Sequence, residues 1–129
     1  MKASERNWEW RGGFRRLVRM LEPTLLLLLH HGPAHGYTLL ERLDEFDLVG
    51  VNSSLVYRAL RDMEDRGWVT STWDEGQAQG PPRRVYRLAA LGHEALALWT
   101  QELEEAKAVI DGLLTAYRRH MEEGEGEHH

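Results

Sequence analysis

Residues 52–67, NSSLVYRALRDMEDRG, decide how this chain folds. Asn52 or Ser53 can offer a side-chain oxygen to the free amides of a helix start, and Gly67 supplies the left-handed residue that commonly follows a helix end. Between them the two faces separate cleanly at helical spacing. Val56, Leu60 and Met63 recur at i, i+4 and i+7 and point to a core, whereas Ser54, Tyr57, Arg58 and Arg61 recur at i, i+3, i+4 and i+7 on the opposite side. One helix, continuing to Arg66, therefore carries two arginines and a tyrosine on an exposed stripe.

Upstream, a loop at 47–51 separates this helix from another at 36–46, whose apolar positions are Tyr37, Leu39, Leu40 and Leu43 between Glu41, Arg42 and Asp44. The helix before that begins at Pro23, a residue suited to a first turn, buries the leucine run 25–29 and stops at His31-Gly32-Pro33. A short amphipathic helix carrying Phe14, Leu17, Val18 and Leu21 precedes it.

Downstream, residues 69–74 and 83–88 are rich in β-branched and aromatic side chains and enclose Gly76, Gly80, Pro81 and Pro82, which predicts a hairpin with a long loop. From 90 to 121 the spacing of Leu96, Trp99, Leu103, Ala106, Ile110, Leu113 and Tyr117 alternates between three and four, a heptad sustained for three repeats. The Gly-, Glu- and His-rich tail from Glu122 is expected to be disordered. The fold class is thus mainly α: a winged helix-turn-helix with a two-stranded wing and a long C-terminal dimerisation helix. In this plan the last short helix before the wing enters the DNA major groove. The expected divisions are 1–21, a basic arm and short helix; 22–88, the DNA-binding domain; 89–121, the dimerisation helix; and 122–129, the tail.

Composition narrows the function classes. The chain has 129 residues and no cysteine, which removes disulfides, thiolate metal sites and cysteine nucleophiles together. The arginine-rich start lacks an apolar signal core, and the longest aliphatic run is too short to cross a bilayer, so a soluble, unexported, cytoplasmic protein is expected. The net charge of −5 argues against a nucleic-acid partner only as an average. Residues 1–21 carry 6 basic and 2 acidic groups, and residues 90–129 carry 3 and 9, so the acid is concentrated at the C-terminal end. What matters for DNA is the face that carries the arginines.

Several of these residues together resemble the PadR family of winged-helix regulators, over nearly the whole span from Pro23 to Tyr117. The motifs are His35-Gly36-Tyr37, the run Val56-Tyr57-Arg58-Ala59-Leu60 with Glu64 and Gly67 behind it, Gly80-Pro81, and Arg83 with Tyr86 and Leu88. The resemblance implies a dimer built on the C-terminal helix, an operator with two half-sites, and derepression by a ligand. Within the family, the leucine run, Glu45-Phe46, Trp73-Asp74 and Trp99 are most similar to the poly-β-hydroxybutyrate-responsive repressors. One departure is Ala89, where the family usually has a threonine; alanine cannot cap the first turn of the last helix, a loss of about 1 kcal/mol.

Each reading has a plainer rival. The Ser54/Tyr57/Arg58/Arg61 stripe could be a solvated helix face, but its place before a wing and its exposed tyrosine favour major-groove contact, with arginine able to pair with guanine edges or phosphates. Arg83 and Arg84 beside the loop tip are expected at the flanking backbone, against the alternative of ordinary strand-edge charges. The heptad could pack on its own domain, yet so small a domain leaves little core to cover it, so Leu96, Trp99, Leu103, Ile110, Leu113 and Tyr117 are expected at a homodimer seam helped by the N-terminal helix. Trp99 could also floor a pocket for an unknown small hydrophobic effector. His30, His31 and His35 are broken by Gly32-Pro33 and form no metal-ligand spacing. No catalytic motif is present, and neither an enzyme nor a cofactor is expected. The competing class is a protein-interaction or polymer-granule-binding adaptor on the same fold.

Overall fold

The computed structural model describes residues 19–48, 50–74 and 82–127. They fall in two compact units, the first ending at Leu96 and the second beginning at Ala97. In the first unit, helix α1 covers residues 19–31, so the helix expected to start at Pro23 instead runs through it. Proline removes one amide donor from a helix. Beside it the Thr24 hydroxyl donates to the Met20 carbonyl at 2.7 Å. Phe14, Leu17 and Val18 lie outside the described residues. Leu25, Leu26, Leu28 and Leu29 are buried, as an all-leucine run requires, and each contributes about 1.5–3 kcal/mol through burial.

Helix α2 (Gly36–Arg42) tightens into a 3-10 turn (Leu43–Phe46) that ends on Asp47 in the left-handed region. Leu39 and Leu43 face the core, but Tyr37, expected among the apolar positions, is 59% exposed. Successive helical residues turn by about 100°, so Tyr37 lies some 160° from Leu39 and points away from the face that Leu39 buries.

Helix α3 (Ser53–Asp65) has both ends closed as its sequence demands. Asn52 Oδ1 accepts from the Leu55 amide at 2.9 Å, which assigns the cap to Asn52. At the other end Gly67 has φ +80°, its amide donates to the Glu64 carbonyl, and the Trp68 amide donates to Met63. Those two bonds complete a Schellman motif. Val56, Leu60 and Met63 are fully buried.

Strands β2 (Val69–Asp74) and β3 (Arg83–Leu88) pair antiparallel from Val69↔Leu88 to Asp74↔Arg83. These two strands are the expected two-stranded wing, and among the described residues a third strand, β1 (Ala34–His35), pairs with the outer side of β3, giving the order β1-β3-β2. A two-residue strand directly after Gly32-Pro33 has no alternating pattern by which sequence could reveal it.

Helix α4 (Ala90–Glu127) begins after Ala89, whose carbonyl accepts from the Gly92 and His93 amides. It continues beyond Met121, where the sequence reading ended it, so residues 122–127 are helical and not the disordered tail expected. Glutamate is a good helix former, and a helix already propagating tolerates Gly124 and Gly126 at about 1 kcal/mol each. Within the second unit Ile110, Leu113 and Tyr117 are exposed, Leu113 by 67%, while Trp99 and Leu103 are half-buried. No helix among the described residues is long and apolar enough to cross a membrane.

Candidate nucleic-acid interface

The polar face of α3 reaches the surface as its spacing requires. Ser54, Tyr57, Arg58 and Arg61 are all exposed and, with Ser53, line a shallow recess of about 320 Å³. Because the opposite face is anchored by Val56, Leu60 and Met63, these side chains project from a helix that cannot rotate without exposing its core. Two guanidinium groups on such a rigid element can engage phosphates or guanine edges with little loss of backbone freedom.

A larger recess, about 740 Å³, opens between α3 and the wing. Tyr37, Tyr57, Trp73 and Tyr86 give it aromatic walls, and Arg61, Arg83, Arg84, Glu64 and His35 give it charge. Tyr57 belongs to both recesses. Its ring crosses the α-carbon of Gly36, where a β-carbon would stand 2.5 Å from Tyr57 Cε1. The glycine of the His35-Gly36-Tyr37 motif is therefore a seat for the tyrosine of α3.

The two wing arginines part company. Neighbours on a strand project from opposite faces. Arg84 shares the face of Tyr86, which is buried, and its guanidinium is engaged within the protein. It donates to Ser71 Oγ at 3.0 Å, stands 3.8 Å from Glu64 Oε1 and lies 4.7 Å from the centre of the Trp73 ring. Arg83, exposed like Arg84 and lining the same recess, stands opposite Asp74 in the strand register. Arg87, four residues further along the strand, donates to Thr72 Oγ1 at 2.8 Å.

Tyr86 sits among these charges. Burial pushes its phenol above the usual value, Glu64 and Tyr57 add to the rise, and Arg84 and Arg61 oppose it. His35 Nε2 lies 3.2 Å from Asp74 Oδ2, tying the residue before α2 to the end of β2. His30 meets His93 edge-on, with ring centres 5.4 Å apart. Among the described residues no three His, Asp or Glu side chains are grouped to hold a metal ion.

Sequence reasoning missed Tyr37, Trp73 and Glu64 as parts of this surface. Tyr37 was recoverable, since the period that buries Leu39 and Leu43 turns it outward. Glu64 was recoverable too, since it follows Tyr57 by seven residues and Arg61 by three on the same helical face, whereas Trp73 joins the surface through pairing across the sheet, which no local spacing encodes.

The family profile "Transcriptional regulator PadR-like family" matches residues 25–98, from α1 through the first turns of α4. No curated protein sequence matches the chain. Among solved structures, a protein from Thermoplasma acidophilum proposed to be a transcriptional regulator is 30% identical, with a TM-score of 0.69 over 78% of this chain and 96% of that one. A PadR-like transcription factor from Bacteroides fragilis is 27% identical, with a TM-score of 0.65 over 81% and 98%. Bacillus subtilis PadR, solved in complex with operator DNA, is 25% identical, with a TM-score of 0.56 over 64% of this chain and 47% of that one. Since the profile spans more than half of the 129 residues, the chain belongs to the PadR-like family of transcriptional regulators.

Proposed function

We propose that the protein is a homodimeric transcriptional repressor that binds operator DNA and leaves it when a small hydrophobic effector occupies the dimer. The observation that carries this reading is the exposed Ser54/Tyr57/Arg58/Arg61 face of α3, held rigid by a buried opposite face beside a wing. In that role Arg58 and Arg61 enter the major groove with Tyr57 and Ser54. Tyr37, exposed on the wall shared with Tyr57, extends the contact to the backbone, and Arg83 and Arg84 flank it from the wing. That Bacillus subtilis PadR is solved on operator DNA supports the assignment.

The heptad of α4 supports the homodimer. Ile110, Leu113 and Tyr117 offer water an apolar row that a second copy would cover. Two-fold symmetry then presents two α3 helices to half-sites about 34 Å apart. An effector seated near Trp99 acts by fitting the released dimer better than the DNA-bound one, because only differential affinity shifts the equilibrium.

Selection of duplexes from a random pool by the purified protein, followed by footprinting, tests the reading. A palindromic site protected over two adjacent turns, and released by a hydrophobic acid or hydroxyalkanoate oligomer, is the expected result. Binding without sequence preference and insensitive to salt would overturn it in favour of a protein-interaction role.

A further inference from the structure

The ends of α3 and the wing are joined by one compact polar assembly. Glu64 is in the last turn of α3, where the helix dipole disfavours a carboxylate and no basic residue of that turn offsets it. Its compensation comes from the sheet. Ser71 Oγ donates to Glu64 Oε2 at 2.6 Å, and the same oxygen accepts from Arg84 Nη1 at 3.0 Å. Glu64 Oε1 faces that guanidinium at 3.8 Å, and the Trp73 ring lies against its flat side. Ser71 thus relays between a carboxylate on the helix and a cation on β3.

We infer that Glu64 is a specificity-determining positioning residue: it holds Arg84 on the protein, sets the wing against α3, and withholds one positive charge from DNA phosphates. The inference rests on the DNA-binding reading above. A free wing arginine would attach to any duplex, because phosphate contacts carry no sequence information and supply most non-specific affinity. Arg84 remains 45% exposed, so a phosphate can approach it, but it must compete with Glu64, Ser71 and Trp73 for a guanidinium they already hold and partly neutralise. That competition favours sites whose other contacts already bring the wing into place, and disfavours random DNA.

Glu64→Gln tests this directly, since it keeps size and an acceptor for Ser71 and removes only the charge. Affinity for the selected operator and for a random duplex is measured against salt. Random-duplex binding is expected to strengthen several-fold at low salt, its log–log salt slope to steepen by about one per protomer, and the operator preference to fall. In an Arg84→Gln background the same change should do nothing. Arg84→Gln alone should lower the slope less than Arg83→Ala does. In the free protein, the Arg84 side-chain nitrogen resonances should sharpen towards those of a freely rotating guanidinium in Glu64→Gln. Unchanged slopes and preference in Glu64→Gln, or changes that persist without Arg84, overturn the inference while wild-type operator preference still stands. Loss of operator preference in the wild type itself would overturn the DNA-binding reading and the inference with it.

Discussion

The Tyr57 ring rests on the bare α-carbon of Gly36. The atoms that a β-carbon would strike are the far end of a side chain able to swing away, so Gly36→Ala is expected to alter stability by no more than about 1 kcal/mol, partly offset by alanine's better helix propensity. Displacing the ring should instead weaken operator binding as much as Tyr57→Ala does. Thermal midpoint and DNA affinity measured on one preparation check the pair; a variant that unfolds, or one that binds normally, contradicts it.

Gly92 is the opposite case. A β-carbon there meets the backbone carbonyl of Trp68 as well as the Leu88 side chain, and the carbonyl is held in place by the Ala89 amide at 2.9 Å. Gly92→Ala is expected to destabilise the protein by about 1–3 kcal/mol or more, read as a lower denaturant midpoint.

Removing Arg58 or Arg61 is expected to cost on the order of 1–3 kcal/mol of operator affinity where the side chain is bidentate to a base. Arg83→Ala should weaken all sequences alike and lower the salt slope by about one. Affinity titrations on operator and random duplexes at several salt concentrations separate the two behaviours.

Replacing Ile110 and Leu113 together by glutamate puts two charges on the exposed row of α4 without touching the buried core. Monomers are expected by sedimentation, with helical content retained. A double variant that stays dimeric would place the seam elsewhere.

Tyr86 is expected to ionise above the ordinary tyrosine value of 10.0, because burial penalises the phenolate. A folded-state value above the unfolded one means that this contribution to stability is complete below pH 10.0 and is lost as pH rises through the raised value. Absorbance at the phenolate band should therefore show one tyrosine titrating late, and Tyr86→Phe should remove that step.

The parts of this molecule legible in sequence are those set by neighbours along the chain. Gly67 was readable because left-handed geometry after a helix is a local demand. The Val56/Leu60/Met63 face was readable because burial follows the helical period. β1 was hidden, since its only cause is the free edge of β3, which lies far along the chain. Arg84 was legible as a basic group near the wing, but its attachment to Glu64 and Trp73 exists only once β2 and β3 pair. The continuation of α4 past Met121 was misjudged from glycine content, although the intervening glutamates favour helix. The site was thus readable in its charges and not in their mutual restraint.

Trp68 lies where three elements meet. Its amide closes the end of α3 on Met63, its carbonyl takes the Ala89 amide at the start of α4, its ring lies under the Arg66 guanidinium, and β2 begins at the next residue. None of these elements can loosen there without releasing a bond owned by another. The junction is therefore expected to open as a unit, since fraying at the end of α3 strains the same peptide that anchors the start of α4 and leads into β2, and the helix that carries Arg58 and Arg61 should share the amide-exchange protection of the sheet.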